Sequence, residues 1–356
     1  MAQDATRQAT VTMRAAPTTE AEVTERLTRP TDQTVSAVET LDGDLMILGA
    51  GGKMGPSLAV LTRRSLDAAG LPYRVICVSR FSSASARAQL DLPGIETIAC
   101  DLLDRAALEE LPDAPNLVFM AGLKFGASAS PALTWALNAY LPALVGERYR
   151  HARIVALSTG NVYPLVPVAS GGATEETPPS PVGEYAQSCL GRERLFESTA
   201  ERFGTPVALI RLNYATDLRY GVLLDIATRV VEGEPIALES GYVNTIWQGD
   251  ANAVLLQAFT LCASPAAAVL NLTGPETISV REVACRFSDL LSAPEPSFVG
   301  SEQETALLSN ARRCHGLFGM PRVPLDELVE WTAAWIRAGG PTLEKPTHFD
   351  VRDGVF

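Results

Sequence analysis

Short apolar runs alternate with amphipathic stretches along most of the chain. DLMILGA (44–50), YRVICVS (73–79), IETIAC (95–100), NLVFMAG (116–122), RIVALST (153–159) and PVALIRL (206–212) have the length and composition of buried strands. Between them, PSLAVLTRRSLDAAG (56–70), RAALEEL (105–111), PALTWALNAYLPALVGERYR (131–150) and YAQSCLGRERLFESTAERFG (185–204) have helical character. The alternation predicts an α/β fold: a doubly wound parallel Rossmann sheet with helices on both faces. After residue 213 the alternation weakens. RYGVLLDIATRVVEGEP, SVREVACRFSDLLSA and PLDELVEWTAAWIRAGG predict a smaller, mostly helical region over the sheet, from which a strand has room to return to it.

Ahead of the first strand, 19–29 and 32–41 predict two short helices separated at Arg29-Pro30. Residues 1–18 are polar and aperiodic, and read as a mobile arm. The organisation expected is therefore an N-terminal arm with two helices (1–42), a dinucleotide-binding domain (43–212), a substrate-binding region (213–340) and a C-terminal strap (341–356).

Composition narrows the function classes. A net charge of −12 excludes a nucleic-acid groove as the natural reading, because phosphate backbones need a basic surface. No apolar run approaches the ~20 residues a membrane helix needs, and the first residues have no secretory pattern. The six cysteines are scattered, and only three histidines accompany them, so no metal spacing is present. A soluble cytoplasmic protein with reduced thiols is expected. Lysine occurs only at Lys53, Lys124 and Lys345, and the first two fall inside motifs.

The sharpest motif is LGAGGKMG, directly after the first strand and at the start of a helix. Gly49, Gly52 and Gly55 form GxxGxxG. Without a Cβ, a backbone can approach a pyrophosphate, and bare N–H groups at a helix start can receive it. Residues 49 and 51–55 (Gly49, Gly51, Gly52, Lys53, Met54, Gly55) are thus expected to bind a dinucleotide. At the end of the second strand, Ser79-Arg80 replaces the acidic residue that would bond an adenosine ribose 2′-OH. A cation there accepts a 2′-phosphate, which favours NADP over NAD.

Further segments stand at regular places on this frame: Asp101-Leu102 after the third strand, Ala121-Gly122-Leu123-Lys124 after the fourth, Asn138 on the long helix, Ser158-Thr159-Gly160-Asn161-Val162-Tyr163 after the fifth, Tyr185 at the next helix start, and Trp247-Gln248-Gly249-Asp250. With the glycine turn, they make residues 44–340 resemble the extended short-chain dehydrogenase/reductase family, the NAD(P)-dependent sugar epimerases and dehydratases similar to UDP-galactose 4-epimerase. The resemblance implies that Asp101 and Leu102 lie at the adenine, and that Ala121, Gly122, Lys124 and Asn138 lie near the cofactor. It implies that Tyr185 is the catalytic acid/base and that Thr159 orients the substrate hydroxyl. It also implies a homodimer packed through the helices at 131–150 and 185–204.

Three departures stand out. The family's lysine, one helical turn after the tyrosine, is Cys189 here. A neutral thiol supplies no positive charge, so another cation does the work (Lys124 first, then Arg192, with the oxidised nicotinamide contributing), or Tyr185 stays protonated, or the protein binds cofactor without turnover. Gly160-Asn161 follows Thr159 where sugar dehydratases have Asp-Glu, which argues against dehydration, although Glu175, Glu176 and Glu184 lie nearby in sequence. Asn213 keeps the family's asparagine but loses the Gly-Pro pair of the nucleotide-sugar loop. A sugar, sugar acid or lactone therefore suits the chain as well as a nucleotide sugar. Asn161, Asn213, Arg192 and Trp247 are the expected substrate contacts, with Arg194, Arg211 and Arg219 as further arginines for an acidic ligand and Trp135 as a second tryptophan near the pocket.

Overall fold

The computed structural model describes residues 15–81, 87–124, 126–344 and 347–355. Most of the expected N-terminal arm lies outside these residues. Seven strands form one parallel sheet: β1 (Leu45–Leu48), β2 (Val75–Ser79), β3 (Ile95–Ala99), β4 (Asn116–Phe119), β5 (Arg153–Thr159), β6 (Val207–Leu212) and β7 (Ala268–Leu272). Their order is β7-β6-β5-β4-β1-β2-β3. Strand β7 returns from the C-terminal region to pair with β6, Ala268 opposite Ala208. The order reverses at β1, which lies between β2 and β4. In such sheets ligands bind beyond the strand ends at that reversal.

Side chains alternate across a strand, so a central parallel strand must be apolar on both faces. Leu45 and Ile47 of β1 join a core that contains Ala37, Leu58 and Leu255. Met46 and Leu48 point the other way, into a core with Leu108, Leu144 and Phe196. The first core is covered by α2 (Asp32–Glu39), α3 (Gly55–Ala68) and α9 (Gln248–Gln257). The second is covered by α4 (Arg105–Glu109), α6 (Leu141–Arg148) and α7 (Gly183–Phe203). Helix α1 (Glu20–Thr28) precedes α2, and both begin with capping boxes, at Thr19/Glu22 and Thr31/Thr34. These N-terminal helices dock on their own chain: Ser65 Oγ donates to Thr34 Oγ1 over 3.0 Å, and Arg64 Nη1 donates to Glu25 Oε2 over 2.7 Å.

The long helix expected over 131–150 is interrupted. A helical turn α5 (Pro131–Trp135) leads into a π turn (Ala136–Tyr140) before α6. Leu141 N–H donates to the Ala136 carbonyl, five residues back. Pro142 has no N–H to offer Asn138, and its ring crowds that carbonyl, so the backbone widens there. The C-terminal region has its own core, built from α8 (Val222–Glu232), α10 (Val280–Leu291) and α12 (Leu325–Arg337), with Trp247, Trp331 and Trp335 among its largest buried residues. Short α11 (Arg312–Phe318) places Cys314 against the sheet core. No described helix is long and apolar enough to cross a membrane.

Candidate active site

The glycine turn between β1 and α3 is fixed by contact as much as by conformation. Gly49 has φ +93°, and a Cβ there would meet the Ala121 amide nitrogen at 2.6 Å. A Cβ on Gly51 would lie 2.7 Å from Ser79 Oγ, and one on Gly55 would overlap the Ala50 carbonyl. Met54, which caps α3, makes no side-chain cap bond. The first N–H groups of the helix thus have no side-chain cap, as an anion site requires. The start of α3 is held from behind by α9: Gln248 Nε2 and Asn252 Nδ2 each donate to Ser57 Oγ over 2.9 Å.

A cavity of about 490 Å³ opens over this turn. The turn forms one wall through Gly49, Gly51, Gly52, Lys53 and Met54, and the segment after β4 forms the next through Ala121, Gly122 and Lys124. Thr159 and Asn161 enter from β5, Tyr185 and Arg192 from α7, and Asn213, Tyr214 and Tyr220 from beyond β6. Thr159 Oγ1 donates to Asn161 Oδ1 over 3.0 Å and accepts from Asn161 N–H over 3.2 Å. Tyr214 has φ +46°, an uncommon conformation for a bulky residue.

Tyr185 lies in the first turn of α7, with its ring on the cavity. Burial drives its phenol well above the ordinary tyrosine range, and neighbouring Cys189 adds to the rise. Arg192 and a hydrogen bond with Thr159 act in the opposite direction. Cys189 itself is fully buried, and burial raises its thiol, which disfavours the thiolate that a nucleophile needs. Lys124 Nζ stands 5.8 Å from the ring centroids of both Tyr185 and Tyr214. Burial lowers its ammonium to about 8, an effect partly offset by Cys189 and Asp225.

Several expected residues stand elsewhere. Ser79 is half-buried behind Gly51, and Arg80 is exposed. Asp101 is exposed and accepts from Leu103 N–H over 3.1 Å, while Leu102 is buried in the core. None of the four lines the cavity. Asn138 is fully buried in the π turn, and both ends of its amide are engaged. Its Oδ1 accepts from Leu123 N–H (2.8 Å) and Arg192 Nη2 (3.1 Å), and its Nδ2 donates to the Leu123 carbonyl (2.9 Å) and Ser188 Oγ (3.0 Å). It therefore holds the Lys124 segment in place rather than facing a ligand.

Trp247 is a correction. It is 1% exposed and packs edge-on against Trp331 at 5.6 Å, and its neighbour Gln248 lines the cavity instead. Trp135 is also outside, with its Nε1 donating to Glu184 Oε2 over 2.6 Å. Glu175 accepts from Asn271 N–H, so neither it nor Glu184 supplies an acid to the cavity. Among the arginines expected to receive an acidic ligand, Arg211 is paired with Glu193, Arg219 with Asp217 and Arg194 with Glu197. Only Arg192 of these lines the cavity. Tyr214, Tyr220 and Thr347 are lining residues that the sequence reading did not single out, and Gln248 lines the cavity from within the segment where Trp247 was expected to. For Tyr214, a signal was its position directly after Asn213.

A family model described as the NAD dependent epimerase/dehydratase family matches residues 45–238, more than half of the chain. The chain belongs to that family. No curated protein sequence matches it. Among solved structures, it resembles UDP-glucose 4-epimerase of Thermotoga maritima, determined with UDP-glucose (TM-score 0.67, 16% identity, 83% of this chain and 99% of that one). It also resembles dTDP-glucose 4,6-dehydratase of Bacillus anthracis in complex with NAD (0.70, 17%, 83% and 96%). A third is UDP-glucuronic acid 4-epimerase of Bacillus cereus with a fluorinated UDP-glucuronic acid and NAD (0.66, 17%, 83% and 99%). At these identities the likeness is one of fold.

Membership in the NAD dependent epimerase/dehydratase family makes an enzyme the general expectation for this chain. The place one turn after Tyr185 holds a buried neutral thiol, and the side chains that bring positive charge to this member's cavity are Lys124, Lys53 and Arg192.

Proposed function

We propose that the chain is an NAD(P)-dependent oxidoreductase or epimerase acting on a hydroxyl carbon of a sugar, nucleotide sugar or sugar-acid derivative. The observation that carries this reading is that Tyr185, Thr159, Lys124 and the glycine turn share one cavity. The turn fits a dinucleotide pyrophosphate: its glycines leave no room for Cβ atoms, and α3 starts without a side-chain cap. Gly49, Gly51, Gly52 and Met54 would hold the phosphates, and Ala121 and Gly122 the nicotinamide end. Arg80, just past the end of β2 where an acidic residue would favour NAD, is the one sequence feature that favours NADP. When bound, the cofactor supplies hydride transfer.

The chain's own residues manage the proton. Thr159 orients the substrate hydroxyl, and the Tyr185 oxygen takes its proton or returns one. Burial alone would keep Tyr185 protonated, so a cation is needed to favour the tyrosinate. Lys124 is that cation while it holds its proton, below about pH 8. No carboxylate follows Thr159, so dehydration is not part of the reading. The exposed side chains of Leu133, Trp135 and Tyr140 beside α7 support a homodimer through that face. The unpaired cysteines accord with the cytoplasm.

A second reading, a cofactor-binding regulatory protein of the same fold, is favoured by Cys189 in the lysine's place. Thermal shifts with NAD(H) and NADP(H), followed by Tyr185→Phe, separate the two. An enzyme is stabilised by one cofactor and loses about 10²–10⁴-fold in turnover in the variant while still binding it. In a regulatory protein, Tyr185→Phe changes nothing but local packing. Stabilisation by neither cofactor would rule out both readings.

A further inference from the structure

The charge of the cavity is opposite to that of the molecule. The chain carries −12, yet Lys53, Lys124 and Arg192 line the cavity, and no Asp or Glu is among the described residues that do. Two of the chain's three lysines are spent there. Lys53 starts in the glycine turn, but its ammonium crosses to the opposite wall, 3.2 Å from the Tyr220 ring centroid. An ammonium serving the pyrophosphate alone would stay over the start of α3. Tyr220 and Tyr214 belong to the same wall, and Lys124 stands 5.8 Å from the Tyr214 centroid. Lys124 thus stands between that wall and Tyr185, and Lys53 stands at the wall's Tyr220 end.

The carboxylate that acts on Lys124 is Asp225. Its Oδ2 already accepts from Thr347 N–H (2.8 Å) and Oγ1 (2.6 Å), which ties it to the C-terminal strap. Resting on the reading of this cavity as the reaction site, we propose that the substrate bears an anionic group, a carboxylate or a phosphate, beside its reacting hydroxyl, received by Lys53 and Lys124 against the Tyr214–Tyr220 wall. Charge-assisted hydrogen bonds in a partly dehydrated cavity favour such a group strongly over a neutral one. Burial keeps the two phenols protonated, so they act as donors to an anion. An anion between the lysines also returns to Lys124 the solvation that burial removed.

The test uses the full chain loaded with whichever of NADH and NADPH raises its Tm. Titration calorimetry compares D-glucuronate and D-glucose 6-phosphate with D-glucose, and UDP-glucuronate with UDP-glucose. The anionic member of a pair is expected to bind at least about tenfold more tightly. The glucuronate and phosphate arms show which anion the wall takes. Lys53→Met and Lys53→Gln are expected to bring the ratio near one, with the cofactor's own affinity measured first in each variant and the sugars added at cofactor saturation. A ratio near one in every wild-type pair, absence of binding included, overturns the proposal. So does an equal loss for acidic and neutral probes in both variants, which would mark Lys53 as a pyrophosphate counter-ion. Failure of either cofactor to raise Tm contradicts the parent reading instead, and it is seen before any sugar is added.

Discussion

Lys124 is a lysine placed where charge is costly and useful at once. Burial moves its ammonium from the ordinary 10.5 down to about 8. Between those values the unfolded chain binds a proton that the folded chain has released, so stability rises with pH across that window. Below about pH 8 both states are protonated, and the full desolvation cost is present. Lys124→Met is therefore expected to stabilise the fold at pH 7 by about 1–2 kcal/mol, allowing for partial exposure. Urea denaturation at pH 7 and near pH 10 checks this: the gain should shrink at the higher pH. The same proton is expected to appear in catalysis. The kcat/KM profile of the wild type should fall above about pH 8, and Lys124→Met should lack that limb while losing most of its turnover.

At the scale of elements, the site stands on a buried ion pair. Arg211 on β6 donates through Nε (3.0 Å) and Nη2 (2.7 Å) to the Glu193 carboxylate on α7, and Ser158 Oγ on β5 adds a third bond (2.6 Å). Arg211 Nη1 also reaches Tyr163 OH over 2.7 Å. This network ties the helix of Tyr185 to the strand of Thr159. Arg211→Met leaves a buried carboxylate uncompensated and is expected to cost about 3–5 kcal/mol, while the double variant Glu193→Leu/Arg211→Met recovers much of it, measured by urea denaturation. Arg211 was legible in the sequence only as one arginine among several, because its partner comes from another element. The strands and the glycine turn were legible because their patterns are local: a short apolar run, then glycine, then a helix. The π turn was not, since a helical period continues through Pro142 and only the missing N–H marks the break. Trp247 was misplaced by one residue for a related reason. The motif fixes the segment, but tertiary packing against Trp331 decides that Trp247 faces the core and Gln248 the cavity.

Across the whole molecule, the cavity is closed by parts far apart in the chain. The C-terminal strap brings Thr347 to its wall and buries Phe349 in the C-terminal core. It ends with Gly354 against Val182 and Gly183, at the start of α7. Phe349→Ala is expected to lower stability by about 3–5 kcal/mol, with a matching drop in Tm. The sequence predicted a strap; that it reaches the helix of Tyr185 depends on three-dimensional closure, which no local pattern records. On the proposed reading, the cation that supports Tyr185 comes from the segment after β4, where Lys124 stands and Asn138 bonds its neighbour Leu123. The most direct measurement of that claim is turnover in three proteins: wild type, Lys124→Met, and Lys124→Met with Cys189→Lys, followed by nicotinamide absorbance. The account predicts loss in the single variant and recovery when the lysine returns at position 189. Full activity in Lys124→Met would contradict it.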